Sequence, residues 1–201
     1  MNVDNLELAC TGWDSGDCQG TPLCPPRCPR FLDKHETALT VRRGDEIALD
    51  DLLEMYDAFG PGERARGVPP VTEPQQRVWL DTLLSKGHNV VVEADGRAVG
   101  HAVFTPENRS DPELAVFVHP NVHDRGVGTE LCKHVIADAA AAGHDELVLH
   151  VAPENRAAVA IYRSLGFEIV SHDEDLEMVL SLADRIASDV RNPPAERDRS
   201  A

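Results

Sequence analysis

A strand that runs into a glycine-bearing turn and then a long helix restricts this chain more than any other feature. Leu114 to Val118 is an apolar run of strand character, His119-Pro120 ends it, and Arg125-Gly126-Val127-Gly128-Thr129 leads into a helix from Gly126 to Ala142. Leu131, Cys132, Val135, Ile136, Ala139 and Ala142 form one apolar stripe at helical spacing, and Gly143 suits a left-handed stop. Such a turn can bind an anion. The first N–H groups of a helix lack partners, the helix end is partly positive, and glycines remove side chains that would hold a phosphate off the backbone. Arg125 offers a full charge and a planar fork of donors. Taken alone, a glycine pair before a helix equally fits a plain tight turn. The stretch is not the dinucleotide fingerprint, which needs a third spaced glycine, nor the triphosphate loop, which needs Gly-Lys-Ser/Thr.

The surrounding order is mixed. Ala38 to Val41 reads as a strand, Asp45 to Ala58 as a helix, Phe59 to Pro74 as a turn-rich loop, and Gln75 to Leu84 as a second helix. Asn89 to Ala94 and Arg97 to Phe104 form a hairpin through Asp95-Gly96, a pair that accepts the positive φ angles of a two-residue turn. Leu147 to Val151 is a strand, Asn155 to Leu165 a helix stopped by Gly166, and Phe167 to Val170 with Glu177 to Leu180 a closing strand pair. Two helices, a meander and then alternating strands and helices make an α/β (α+β) domain. At 201 residues the chain has room for one full domain and not two.

Charge narrows the partners. The formal net charge of -16 disfavours nucleic acid and anionic membrane surfaces, so neither is an expected partner. Lysine is confined to Lys34, Lys86 and Lys133 while acidic residues are spread throughout, which resembles proteins of salt-adapted cytoplasms and also fits an ordinary acidic surface. No apolar run reaches the ~18 residues of a membrane span, and Met1-Asn2-Val3-Asp4 begins no signal-type segment, so a cytoplasmic location is expected.

Val118-His119-Pro120 with His123-Asp124-Arg125-Gly126-Val127-Gly128 resembles the pattern Gln or Arg, two residues, Gly, one residue, Gly or Ala of the GNAT family of N-acetyltransferases. Pro153-Glu154-Asn155, Ala158 and Tyr162 to Leu165-Gly166-Phe167 are similar to that family's later motif of Asn, Ala, Tyr and Gly-Phe. The resemblance runs from about Thr40 to Leu180. It implies a mostly antiparallel sheet flanked by helices and splayed at the acetyl-CoA site. It also implies direct transfer of an acetyl group from acetyl-CoA to an amine of a small molecule or protein. A non-catalytic CoA-sensing or partner-binding module is the alternative. His123 departs from the usual Gln or Arg and supplies less positive charge.

Roles follow from the resemblance. His123, Asp124, Arg125, Gly126, Val127, Gly128 and Thr129 match the phosphate turn; Phe117 and Val118 match the strand whose backbone holds the pantetheine arm. Tyr162 matches the acid that protonates the departing thiolate, a role suited to a phenol of reference pKa about 10. Glu113 lies where family members place a carboxylate base, and His119 and His150 are further candidates. Asn155 can meet the cofactor or cap its helix.

The resemblance does not cover Cys10, Cys18, Cys24 and Cys28, which fall in a Pro- and Gly-containing segment without periodicity. Four thiolates can hold a structural zinc, an iron–sulfur cluster, or remain free thiols, whereas Cys132 reads as core. The expected organisation is therefore a cysteine-rich extension over 1–36, an acetyltransferase domain over 37–182 and a polar, fraying tail over 183–201. A two-fold homodimer is the default assembly.

Overall fold

The computed structural model describes residues 16–64 and 68–197. Among these residues eight strands form one sheet in the order β1-β2-β3-β4-β5-β6-β8-β7. They are β1 (Arg30–Leu32), β2 (Ala38–Arg43), β3 (His88–Ala94), β4 (Arg97–Thr105), β5 (Glu113–Val118), β6 (Glu146–Val151), β7 (Glu168–His172) and β8 (Leu176–Ser181). Every neighbouring pair is antiparallel except β5 and β6. The hairpin between β3 and β4 turns at Asp95 and Gly96, with φ of 50° and 74°, as Asp-Gly at that position requires.

Strand alternation divides the core between two faces. Val90 and Val92 point to one side of β3 with Leu114, Leu147, Leu149 and Met178, while Val91 points to the other with Ala98. The first face is covered by α3 (Val127–Ala142), α4 (Arg156–Ser164) and α5 (Arg185–Asp189). The second is covered by α1 (Leu49–Asp57) and α2 (Glu73–Lys86). Helix α3 lies close on β4 because residue 100 is glycine: a Cβ there would stand 2.9 Å from Leu131 Cδ1 and 3.1 Å from Val127 Cγ1. Gly143, at φ 86°, ends α3 in the left-handed conformation expected of it.

A buried polar relay joins α1 to the sheet under the second core. Tyr56 Oη lies 2.7 Å from His101 Nδ1, and His101 Nε2 lies 3.0 Å from Asn89 Oδ1. The Asn89 amide group donates to the carbonyls of Leu83 and Gly87, so its oxygen is free to accept. His101 therefore carries its proton on Nε2 and accepts from Tyr56 at Nδ1, the neutral tautomer. Burial agrees, pushing the His101 pKa down to about 3.

Both chain ends depart from the sequence expectation. Residues before Ala38 are not a separate appendage in their described part: β1 pairs along β2, and Cys28 and Phe31 are buried. Arg27, 4% exposed, grips Glu130 of α3 through two bonds of 2.7 and 2.9 Å and donates to the Val190 carbonyl. Burial pushes the Glu130 carboxyl up, but Arg27 outweighs this and holds it below its usual value. The expected fraying tail is structured as far as Arg197. Ala187, Val190 and Pro194 are buried, and Ala195 N donates to the Cys18 carbonyl across 3.0 Å. No local periodicity announces either contact, because each depends on packing against α3.

Two outcomes follow. Arg27→Ala leaves Glu130 buried without its partner and should destabilise the fold by about 3 kcal/mol in urea unfolding; a loss below about 0.5 kcal/mol would contradict the pairing described. His101 is protonated in the unfolded chain below about pH 6.5 but stays neutral when folded down to about pH 3. Its contribution is thus fully present above about pH 6.5 and is lost as pH falls. His101→Gln should reduce the pH slope of stability between about pH 6 and about pH 4 by one proton, about 1.4 kcal/mol per pH unit. Identical slopes would refute the buried neutral imidazole.

Candidate active site

The sheet opens between β5 and β6. These parallel strands share a single paired position, Glu113 with Val148, joined through the bond from Val148 N to the Pro112 carbonyl at 3.1 Å. Beyond it they separate. His119 N donates to the Val99 carbonyl at 2.9 Å, which fixes the alternation along β5. Phe117, Ala115 and Glu113 accordingly turn their backbone groups toward β4, whereas Val116 and Val118 turn theirs into the gap. Phe117 was expected to present backbone groups to a ligand; its N–H and C=O belong instead to the ladder with His101. Which of two adjacent residues faces a gap is set by register, and the sequence of β5 does not encode it.

At the end of β5 the chain turns into α3. Asp124 and Gly126 adopt φ of 60° and 89°, and no side chain caps the helix. The first intrahelical bond runs from Glu130 N to the Gly126 carbonyl at 3.1 Å, so the N–H groups of Val127, Gly128 and Thr129 precede the helical ladder. A Cβ on Gly128 would meet Val118 Cγ2 at 3.4 Å, an ordinary contact distance, so the turn lies directly against the strand. A bare positive helix end beside an open strand edge suits the diphosphate and amide-bearing arm of acetyl-CoA.

The charged side chains of the turn are less available than the motif suggests. Arg125 does not project freely: its Nε donates to Asp33 Oδ2 at 2.6 Å and its Nη2 to Thr37 Oγ1 at 2.9 Å. Asp33 has a fully buried side chain and also accepts from the His35 and Thr37 amides at 2.8 and 2.9 Å. Burial pushes its carboxyl up; the amides of Thr37 and His35 and the Arg125 guanidinium overcome that and hold it below its ordinary value. His123 Nε2 lies 2.9 Å from the Val118 carbonyl and donates to it. No sequence motif marks Asp33, whose role emerges only when the β1–β2 hairpin meets the turn.

Titratable side chains stand on both faces of the sheet. On the first, Tyr162 of α4 packs against the core and meets Phe167 edge-on at 5.7 Å. Burial, with the neighbouring Cys132 adding to it, holds its phenol well above the usual value, so it is protonated at neutral pH. On the second, His150 Nδ1 lies 3.0 Å from Glu113 Oε1, both side chains being partly exposed. On the same face of the sheet, farther along β5, Phe117 meets Trp79 edge-to-face with centroids 5.5 Å apart. His119 is committed elsewhere, its Nδ1 accepting from Asn121 N at 3.1 Å. Asn155 caps α4, accepting from Ala158 N at 3.2 Å.

The described part of the cysteine segment gives no metal centre. Cys10 lies outside the described residues. Cys18, Cys24 and Cys28 line one cavity of about 660 Å³ between the extension and Pro193-Pro194, and all three are free thiols. Among the described residues no group of three or more His, Cys, Asp or Glu side chains is disposed to hold an ion, so the expected zinc finds no support. Nor is any described helix long and apolar enough to cross a membrane.

Comparison with known proteins agrees with this geometry. Residues 49–167 match the family described as "Acetyltransferase (GNAT) family". An L-methionine sulfoximine/L-methionine sulfone acetyltransferase of Pseudomonas aeruginosa is 28% identical over 138 residues, 65% of this chain and 80% of that one. An L-amino acid N-acyltransferase of Escherichia coli is 28% identical over 99 residues, 46% of this chain and 58% of that one. The solved acetyltransferase of Salmonella typhimurium with its cofactor acetyl-CoA superposes with a TM-score of 0.57 at 23% identity, covering 73% of this chain and 95% of its own. With the open strand pair, the uncapped helix and a family match over more than half its length, the chain belongs to the GNAT acetyltransferase family and is an acetyl-CoA-dependent N-acetyltransferase.

Proposed function

We propose that the protein acetylates the primary amine of a small, amino-acid-like acceptor, with the pair Glu113–His150 receiving the amine proton and Tyr162 protonating the departing CoA thiolate. The observation that carries this reading is the gap between β5 and β6, with a proton acceptor on one face and a protonated phenol on the other. The amine nitrogen bonds to the thioester carbonyl carbon, the carbon–sulfur bond breaks, and an amide and free CoA thiol result. The ammonium first gives one proton to His150, steadied by Glu113, which passes it to solvent; Tyr162 then protonates the departing sulfur, and the second proton that the acylated nitrogen releases restores the phenol. The N–H groups of Val127, Gly128 and Thr129 hold the diphosphate, and Val116 and Val118 offer backbone groups to the pantetheine arm. The acceptor class is supported by the amino-acid-like substrates in the names of the two relatives and by the aromatic wall of Trp79 and Phe117, against which a short side chain can pack.

The test is release of CoA thiol from acetyl-CoA across L-methionine sulfoximine, L-methionine sulfone, L-amino acids, spermidine and a lysine peptide. Turnover with an amino-acid-like amine is expected. Turnover only with the polyamine or peptide would overturn the acceptor class, and no turnover with any amine would favour a CoA-binding module. Tyr162→Phe should lower kcat about 100-fold with KM for acetyl-CoA nearly unchanged. His150→Ala and Glu113→Gln should lower kcat/KM for the acceptor at least about tenfold at neutral pH. Their deficit should narrow at alkaline pH, where the amine arrives already deprotonated; a deficit constant with pH would remove the pair from the proton path.

A further inference from the structure

The extension that precedes the family match reaches the phosphate turn. Besides the Asp33–Arg125 pair, Lys34 N donates to the Arg125 carbonyl at 3.0 Å, so two consecutive residues of the β1–β2 hairpin are fastened to the residue before Gly126. This fixes where the next side chain goes. The Lys34 side chain is exposed, and a Cβ built on Gly126 would stand 3.8 Å from both its Cγ and its Cε. An aliphatic stem laid against the Gly126 backbone carries its ammonium group to the mouth of the α3 N-terminus. The hairpin loop that presents it is held firmly: Asp33 accepts from the His35 and Thr37 amides, Asp33 N donates to the Thr37 carbonyl, and Glu36 takes a φ of 61° to close the turn.

Charge makes this placement consequential. Acetyl-CoA carries a diphosphate and a 3′-phosphate, and the protein that must bind it has a net charge of -16. The field of the whole molecule opposes binding, so local cations have to offset it. The motif's own side chains supply little: Arg125 is neutralised by Asp33, and His123 donates to the Val118 carbonyl. Lys34 is one of three lysines in the chain, and it is set beside the turn. The Asp33–Arg125 pair has a positional meaning in this light: it costs the turn one cation and fastens there the hairpin that brings another.

Resting on the reading of the α3 turn as the acetyl-CoA phosphate site, we propose that Lys34 completes that site from outside the residues that match the family, as the cation that binds the phosphates of CoA. A compact ammonium on a flexible stem suits this, since it can follow a phosphate without a fixed fork geometry. The experiment is calorimetry on the full chain with CoA, with dephospho-CoA, which lacks the 3′-phosphate, and with phosphate-free pantetheine as control. Lys34→Ala should weaken CoA about tenfold, Lys34→Arg should restore most of the affinity, and pantetheine should respond equally to all three proteins. Weakening of CoA and dephospho-CoA alike assigns Lys34 to the diphosphate; weakening of CoA alone assigns it to the 3′-phosphate. Wild-type and Lys34→Ala proteins binding both nucleotides equally would overturn the proposal and leave the phosphate turn standing. A wild-type protein that binds no CoA would instead remove the reading on which the proposal rests.

Discussion

Helix α3 begins without a cap, and much of the molecule is arranged so that it can. A helix end stripped of side-chain partners leaves N–H groups seeking an acceptor, which is costly unless a ligand or water satisfies them. The helix must then be held from elsewhere. Three arginine–carboxylate pairs do so along its length: Arg125 with Asp33 at the entering turn, Arg27 with Glu130 in the first turn, and Arg43 with Asp138 farther on at 2.7 Å. One partner of each pair comes from the chain before residue 44. The region outside the family match is therefore what secures the helix that the match is built around. Buried pairs of this kind add modest net stability but are expensive to break, so they fix position more than they deepen the fold.

The second constraint is the single parallel contact in the sheet. Antiparallel neighbours can pair along their whole length from short turns, but β5 and β6 are joined through α3 and meet only at Glu113 and Val148. Because the strands then diverge, Val116 and the N–H of Val118 turn into the gap, while the Val118 carbonyl accepts from His123. The core is divided to match. Tyr162 belongs to the layer of α3 and α4, and Glu113 and His150 to the face that α1 and α2 cover farther along. The acid and the base proposed for the transfer thus come from different layers.

Much of this was legible in the residues. The Asp-Gly hairpin, the apolar stripe of α3, its stop at Gly143 and the cap at Asn155 each follow from local chemistry, and the structure has all four, the stripe without Ala142, which is exposed. The two motifs and their order gave the family and the fold. What the sequence withheld was pairing at a distance. Arg125 looks like a phosphate ligand until Asp33, 92 residues earlier, takes its guanidinium. Phe117 looks as available as Val116 until the ladder with β4 sets the parity. Glu113 and His150 are separate candidates until β5 and β6 bring them to 3.0 Å. The C-terminal residues look unstructured by composition, yet Val190 and Pro194 find a place against the extension.

The strand gap, the Arg125–Asp33 and Arg27–Glu130 pairs and Lys34 all meet at the amides at the start of α3. The most direct measurement is a titration of isotopically labelled full-length protein with CoA, following the backbone N–H resonances of Val127, Gly128 and Thr129. New hydrogen bonds to phosphate should move those three resonances strongly and saturably downfield. If they stay in place while CoA binds elsewhere, or if CoA leaves the spectrum unchanged, the uncapped helix end is not the phosphate site and the account of this fold as an acetyltransferase scaffold built around it is wrong.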